Sequence, residues 1–204
     1  EEIVNVEVWT YDEPRLYTVQ EKQVKNDKRK SFQTVYHVKD DKLIQIATKE
    51  FPNALLSNEG NGDYALISNP EPYQLSSQWT ALFSMNDLAV ININNGDSKI
   101  AIKSNPSSAR FSPKGEYAFG YNQVDSTWYT YNIKTLKYTE LTKGKVFYNE
   151  LNDSPDYPRS YGLAGWTKND KRILIYDRYD IWEFNPDDAS SKRLTKGRET
   201  KTSF

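Results

Sequence analysis

The chemistry open to this chain is bounded by its rarest side chains: His37 is its single imidazole and cysteine is absent. Any Ser–His relay or imidazole-ligated metal must therefore use His37, and a multi-histidine metal site, a disulfide, a thiolate nucleophile and Cys-ligated zinc are all excluded. No G-x-S-x-G nucleophile elbow occurs; the nearest serine–glycine neighbourhood, Asn95-Gly-Asp-Ser98, lacks the second glycine and falls in a hairpin turn. Asp187 and Asp188 form a carboxylate pair, but adjacent residues of a strand or turn point in different directions, so turn shaping is the expected role rather than acid/base work. Asn58-Glu-Gly-Asn-Gly-Asp63 has the flavour of a calcium loop, yet Asn69 stands where the twelfth-position glutamate is required, and a Gly-rich turn is expected. In Tyr176-Asp-Arg-Tyr-Asp180 two carboxylates flank Arg178 in a short connection. Two readings follow: the guanidinium binds a peptide carboxylate bidentately, or it joins an internal ion-pair network that stabilises the turn. Arg178 is thus the one candidate substrate-binding residue, and no catalytic residue, metal or cofactor is expected.

The elements that position these residues form a repeat. Thr34–Thr48, Val90–Ile102, Tyr129–Thr142 and Ile181–Thr195 each alternate apolar and polar residues, turn, and alternate again. That is the period-two pattern of a hairpin and not of a helical repeat. Anchored at Val38, Ile93, Ile133 and Phe184, the copies are spaced 55, 40 and 51 residues apart, near the ~40–50 of propeller blades. On this alignment His37 is equivalent to Asn92, Asn132 and Glu183 and should lie on a solvated strand face. Upstream of the hairpins, Ala109–Tyr121 and Ala164–Tyr176 superimpose without a gap, Ser112-Pro-Lys-Gly115 matching Thr167-Lys-Asn-Asp170, with Leu55–Ile67 a looser copy. Pro and Gly mark the tight turn.

Strand, turn, strand and hairpin make a four-stranded blade. The expected fold class is all-β, a β-propeller fragment of four-stranded antiparallel blades, with one partial propeller over 1–204. It comprises a partial blade at 1–49, blades at about 53–104, 105–144 and 158–197, and the start of another at 198–204. The partial blade opens with an alternating strand, Val4–Trp9, followed by a charged loop from Glu21 to Lys30. An innermost strand is missing before Glu1, so both ends cut across blades, as in an excerpt of a larger closed propeller. The absence of an initiator Met or an apolar leader at Glu1-Glu2-Ile3 fits an excised or processed segment. Trp9, Trp128 and Trp182 lie in strand patterns and are expected to pack blades.

The 27 Lys+Arg are scattered among 28 Asp+Glu for a net charge of -1, which is not the basic footprint of a nucleic-acid partner. A mean hydropathy of -0.83, with no apolar run near the ~20 residues of a spanning helix, argues against a membrane span.

Phe111-Ser-Pro-Lys-Gly-Glu-Tyr-Ala-Phe119 resembles the TolB-like, WD-type repeat. Five further strings run in order: Val6-Glu-Val-Trp-Thr-Tyr-Asp-Glu-Pro14, Gly62-Asp-Tyr-Ala-Leu66, Asp125-Ser-Thr-Trp-Tyr-Thr-Tyr-Asn-Ile133, Gly165-Trp-Thr-Lys-Asn-Asp170 and Tyr176-Asp-Arg-Tyr-Asp-Ile-Trp182. Together they resemble the N-terminal propeller of bacterial prolyl oligopeptidase-family serine peptidases, over nearly the whole chain. The resemblance implies a non-catalytic domain that gates peptide access and docks an α/β-hydrolase domain of the same parent chain, in a periplasmic or secreted protein. The missing elbow departs from that family's pattern, so the catalytic triad would belong to the parent. A TolB-like propeller that binds a protein partner is the alternative. A propeller glycosidase ranks last, because no spacing demands two carboxylates facing a central cavity.

Overall fold

A computed structural model describes residues 10–79 and 85–203. The alternating segment Val4–Trp9 lies outside the described residues. After it, α1 (Tyr17–Lys28) replaces the charged loop expected there. The reason is local: no Gly or Pro interrupts the run after Pro14, half of the helix's residues are the good helix formers Gln, Glu and Lys, and Lys25 and Lys28 sit in the last turn, where cations suit the dipole. Arg15 bridges to Asp27 at 2.7 Å. The helix buries none of its residues, so the segment is solvated, as expected, but helical.

The rest is built from antiparallel strands in chain order. β1 (Thr34–His37) and β2 (Lys42–Gln45) form a hairpin. β3 (Asn53–Leu56), β4 (Tyr64–Asn69), β5 (Asn86–Asn92) and β6 (Ser98–Asn105) form the first four-stranded sheet, with a short α2 (Gln74–Ser77) between β4 and β5. β7 (Arg110–Phe111), β8 (Tyr117–Asn122), β9 (Thr127–Asn132) and β10 (Tyr138–Glu140) form the second. β11 (Leu163–Trp166), β12 (Ile173–Tyr176), β13 (Ile181–Phe184) and β14 (Ser191–Arg193) form the third. Each sheet is a simple meander. After β14 the chain turns through α3 (Gly197–Thr200).

Alternation decides how the sheets stack. In β4 and β5, Ala65, Ile67, Ala89 and Ile91 pack against Ile44 and Ile46 of the hairpin. Their neighbours Leu66 and Val90 point the other way, onto Ala118, Tyr131 and Ile133 of the second sheet. Phe119 and Trp128 of that sheet in turn meet Ile173, Ile175 and Phe184 of the third. The first and second sheets therefore each bury both faces against consecutive neighbours, and the third packs one face on the second, which is the packing of propeller blades. The chain is all-β with four-stranded antiparallel blades, a fragment of a propeller.

The turn that closes each hairpin is also the same object repeated. Asn92, Asn132 and Asn185 each donate their N–H to the carbonyl five residues on and accept at their own carbonyl from the residue four on. Their side-chain oxygens accept from Asn94, Lys134 and Asp187 N–H groups. Asn185, not Glu183, is thus the equivalent of Asn132, and the fourth hairpin registers two residues later than its apolar pattern indicates. Four residues beyond the turn's first position the backbone is left-handed in all four hairpins, at Asp41, Gly96, Leu136 and Ala189. Only one of these is the glycine that adopts such a conformation without strain.

Candidate functional site

His37 does not lie on a solvated face. It shares the inward face of β1 with Val35, half-buried, and its Nε2–H donates to the carbonyl of Ile93 at 2.8 Å. Ile93 sits just after Asn92 in the next blade's turn, the place that Pro186 holds after Asn185. There the Thr130 hydroxyl donates to the Pro186 carbonyl at 2.5 Å. His37 and Thr130 are therefore the same inter-blade latch made by different side chains, and His37 has a structural partner instead of a chemical one.

Asp187 and Asp188 separate in the way their adjacency requires. Asp188 accepts from Ser190 N–H and the Asn185 amide within its own turn, and the Ser190 hydrogen bonds hold its carboxyl below the usual range. Asp187 does more than shape the turn. It reaches the second blade, accepting from the Tyr117 hydroxyl and the Asn132 amide, both at 2.9 Å. Burial first, and then Asp187, push the Tyr117 phenol well above its ordinary pKa.

A third latch had no forecast. Asp170, 1% exposed, lies in the β11–β12 turn and accepts from the Ser112 hydroxyl at 2.5 Å, Lys114 N–H at 2.9 Å and Glu116 N–H at 3.4 Å, all in the equivalent turn of the preceding blade. The available signal was the gapless match of Asp170 to Gly115: an acid where its repeat carries glycine. Gly115 itself faces Ser57 of the first blade, and a Cβ there would come within 2.9 Å of the Ser57 Cβ. Ser57–Gly60 is a short 3-10 turn with left-handed Asn58 and Glu59. The Asn58–Asp63 segment is accordingly an exposed turn, anchored by buried Ser57. Among the described residues no group of three or more His, Asp or Glu side chains is placed to hold a metal ion.

At one end of the third blade three segments border an open hollow of about 730 Å³, lined by Leu151, Tyr161, Tyr176, Asp177, Arg178, Tyr179, Lys201 and Ser203. The β12–β13 turn is its floor. One wall is the connection from β10 to β11, which folds back on itself through a bridge between Tyr148 and Ser160 and is pinned by Phe147 in the inter-blade core. The other wall is the chain after α3.

Within this site the arginine flanked by carboxylates is not the one they bind. Asp177 Oδ1 accepts from Tyr179 and Asp180 N–H at 2.8 and 2.6 Å, and its Oδ2 accepts from Trp182 Nε1 at 3.0 Å and Arg198 at 3.3 Å. Asp180, fully buried, accepts from the Thr195 hydroxyl at 2.7 Å and Gly197 N–H at 2.6 Å, with Arg193 at 3.6 Å. Burial pushes the Asp180 carboxyl up, but the hydrogen bonds from Thr195, Gly197 and Arg198 and the charge of Arg193 outweigh it, and the carboxyl titrates below its usual range. The ion-pair network around the turn thus exists, built with Arg193 and Arg198. Arg178 instead lies 5.0 Å from the Tyr179 ring centre, and Arg198 lies 5.1 Å from it. Among the described residues no carboxylate pairs with Arg178. Nothing in the hollow forms a nucleophile–base pair.

No family model matches the chain, and no curated protein is similar to it in sequence. Among solved structures, an oligogalacturonate lyase in complex with manganese has a TM-score of 0.49 at 10% identity, over 81% of this chain and 48% of that one. A TolB from Agrobacterium tumefaciens has a TM-score of 0.44 at 17% identity, over 76% of this chain and 51% of that one. The β-propeller domain of the Trilobed protease from Pyrococcus furiosus has a TM-score of 0.44 at 11% identity, over 80% of this chain and 48% of that one. The chain spans about half the length of each. None of these matches names the prolyl oligopeptidase family, and that assignment rests on the strings in the sequence.

Proposed function

We propose that this chain is a non-catalytic recognition domain that admits a peptide to a serine peptidase and docks the α/β-hydrolase domain of the same parent. The observation that carries this reading is the hollow beside Arg178: a cationic and tyrosine-lined recess at an end of the third blade, made mostly by connections, with Tyr176 at the end of β12 the one strand residue in its lining. Loops on a rigid sheet scaffold are where recognition is usually built. Rings and cations without a nucleophile supply binding and leave bond cleavage to another domain. The sequence strings from Val6 to Trp182 support the peptidase as the parent.

The test is active-site labelling of the full gene product with a fluorophosphonate probe. Labelling of one serine outside residues 1–204, with none on the isolated chain, is the expected result. A full-length product that resists the probe refutes the peptidase assignment and leaves a TolB-like module that binds a protein partner.

A further inference from the structure

The hollow contains two cations without a carboxylate partner among the described residues, half-buried Arg178 and, at its exposed margin, Lys201. Tyr179 presents its ring to two guanidinium groups, Arg178 at 5.0 Å and Arg198 at 5.1 Å. Arg198 is committed, to Asp177 at 3.3 Å and Glu150 at 3.6 Å. Arg178, held against the ring, has its fork of donors unpaired with any carboxylate among the described residues. The acid in the lining, Asp177, already accepts four hydrogen bonds from Tyr179, Asp180, Trp182 and Arg198, and so has no lone pair to offer Arg178. The local charge open to a ligand is therefore positive.

Lys201 reaches the site through an unusual backbone. It ends α3 in the left-handed region at φ 54°, a conformation rare for a residue other than Gly, Asn or Asp. The Thr202 N–H closes that turn on the Gly197 carbonyl at 2.9 Å, and Gly197 N–H is bonded in turn to buried Asp180. The turn carrying Lys201 is thus tied to the turn carrying Arg178. Around both cations stand Tyr161, Tyr176 and Tyr179, with Leu151 at the rim.

We infer that this hollow captures the free C-terminal carboxylate of a short peptide, Arg178 gripping it bidentately, Lys201 adding charge, and the tyrosine rings covering the terminal side chain. This rests on the peptide-recognition reading above. A planar carboxylate matches the guanidinium fork, and about 730 Å³ lies in the range of sites that enclose a small ligand.

The experiment is calorimetric titration of the 204-residue chain with acetyl-Ala-Ala-Phe as the free acid and as its C-terminal amide, the acetyl group removing the competing amine. The free acid is expected to bind at least tenfold more tightly, since a charge-assisted hydrogen bond contributes about 1.5–3 kcal/mol, roughly tenfold to a hundredfold in affinity. Arg178→Gln should bring the acid down to the amide's affinity while leaving the amide unchanged, and Lys201→Gln should weaken the acid by a smaller factor. Thermal unfolding identical to wild type would show that R178Q is folded. Acid and amide binding alike, or R178Q binding the acid as wild type does, overturns the carboxylate site and leaves the recognition reading standing. If neither form binds, the peptide-recognition reading fails, and this inference with it.

Discussion

Replacing Asp170 should unfasten the third blade from the second. The side chain is 1% exposed and supplies the acceptor for the Ser112 hydroxyl at 2.5 Å and the Lys114 N–H at 2.9 Å, with a weaker contact to Glu116 N–H at 3.4 Å. In Asp170→Ala both strong donors lose their partner, at about 1–3 kcal/mol for each buried group left unsatisfied. The expected loss is about 3–5 kcal/mol, also the range for removing one side of a buried charged pair. Asp170→Asn retains one good acceptor but turns an amide donor toward donors, and should cost about 2 kcal/mol. Ser112→Ala breaks the same latch from the other side and also strands the Tyr117 N–H, which donates to Ser112 Oγ at 3.0 Å. The S112A and D170A effects must therefore overlap: a double-mutant cycle should give a coupling of about 1–3 kcal/mol. Urea unfolding followed by tryptophan fluorescence and far-UV dichroism measures the wild type and all four variants, coincident transitions licensing the free energies. A D170A midpoint that moves by less than the equivalent of about 0.5 kcal/mol, or additive single effects, would refute the latch.

Acidification should act through Asp180. Its carboxyl titrates below the ordinary range when folded, so its contribution is complete above the unfolded value near 3.9 and is lost as pH falls through the folded one; the stability gap between wild type and D180N should shrink from about pH 5 downward, and a gap independent of pH would contradict this. Leu136 occupies a left-handed position at φ 60° where the equivalent turn has Gly96, and Leu136→Gly should raise stability by about 0.5–1 kcal/mol by thermal unfolding. His37→Ala should release the first hairpin locally, cutting hydrogen-exchange protection in β1 and β2 by about 1 kcal/mol while β8, β9, β12 and β13 keep theirs.

What the sequence made legible is what period two and turn chemistry encode. The hairpins and the strand–turn–strand units were visible because apolar alternation and Ser-Pro-Lys-Gly are local signals. The fourth hairpin slipped by two residues because Phe184 matches the anchoring isoleucines in hydrophobicity, while the residue that sets the turn, Asn185, acts through its amide. The segment Tyr17–Lys28 reads as loop because its charge pattern has no apolar stripe, and the helix buries none of its residues; propensity and the exposed Arg15–Asp27 bridge hold it. His37, Asp170 and Asp187 were misjudged or missed for one common reason. Each finds its partner in a neighbouring blade, 56, 58 and 70 residues away, beyond any local pattern.

The same distinction accounts for Arg178. A local reading pairs it with the acids beside it in sequence, Asp177 and Asp180, but turn geometry commits both acids elsewhere: their oxygens satisfy the N–H groups of their own turn and of α3, and their counter-charges come from Arg193 and Arg198. A buried carboxylate must be hydrogen-bonded wherever donors are fixed, and backbone donors are fixed by the fold while a long arginine is not. Once those donors are filled, the adjacent guanidinium is left with an aromatic ring on one side and solvent on the other. That Arg178 has no carboxylate partner among the described residues is thus a consequence of how the turn satisfies its acids, and it is this arrangement, more than the count of charges in Tyr176-Asp-Arg-Tyr-Asp180, from which the carboxylate site is inferred.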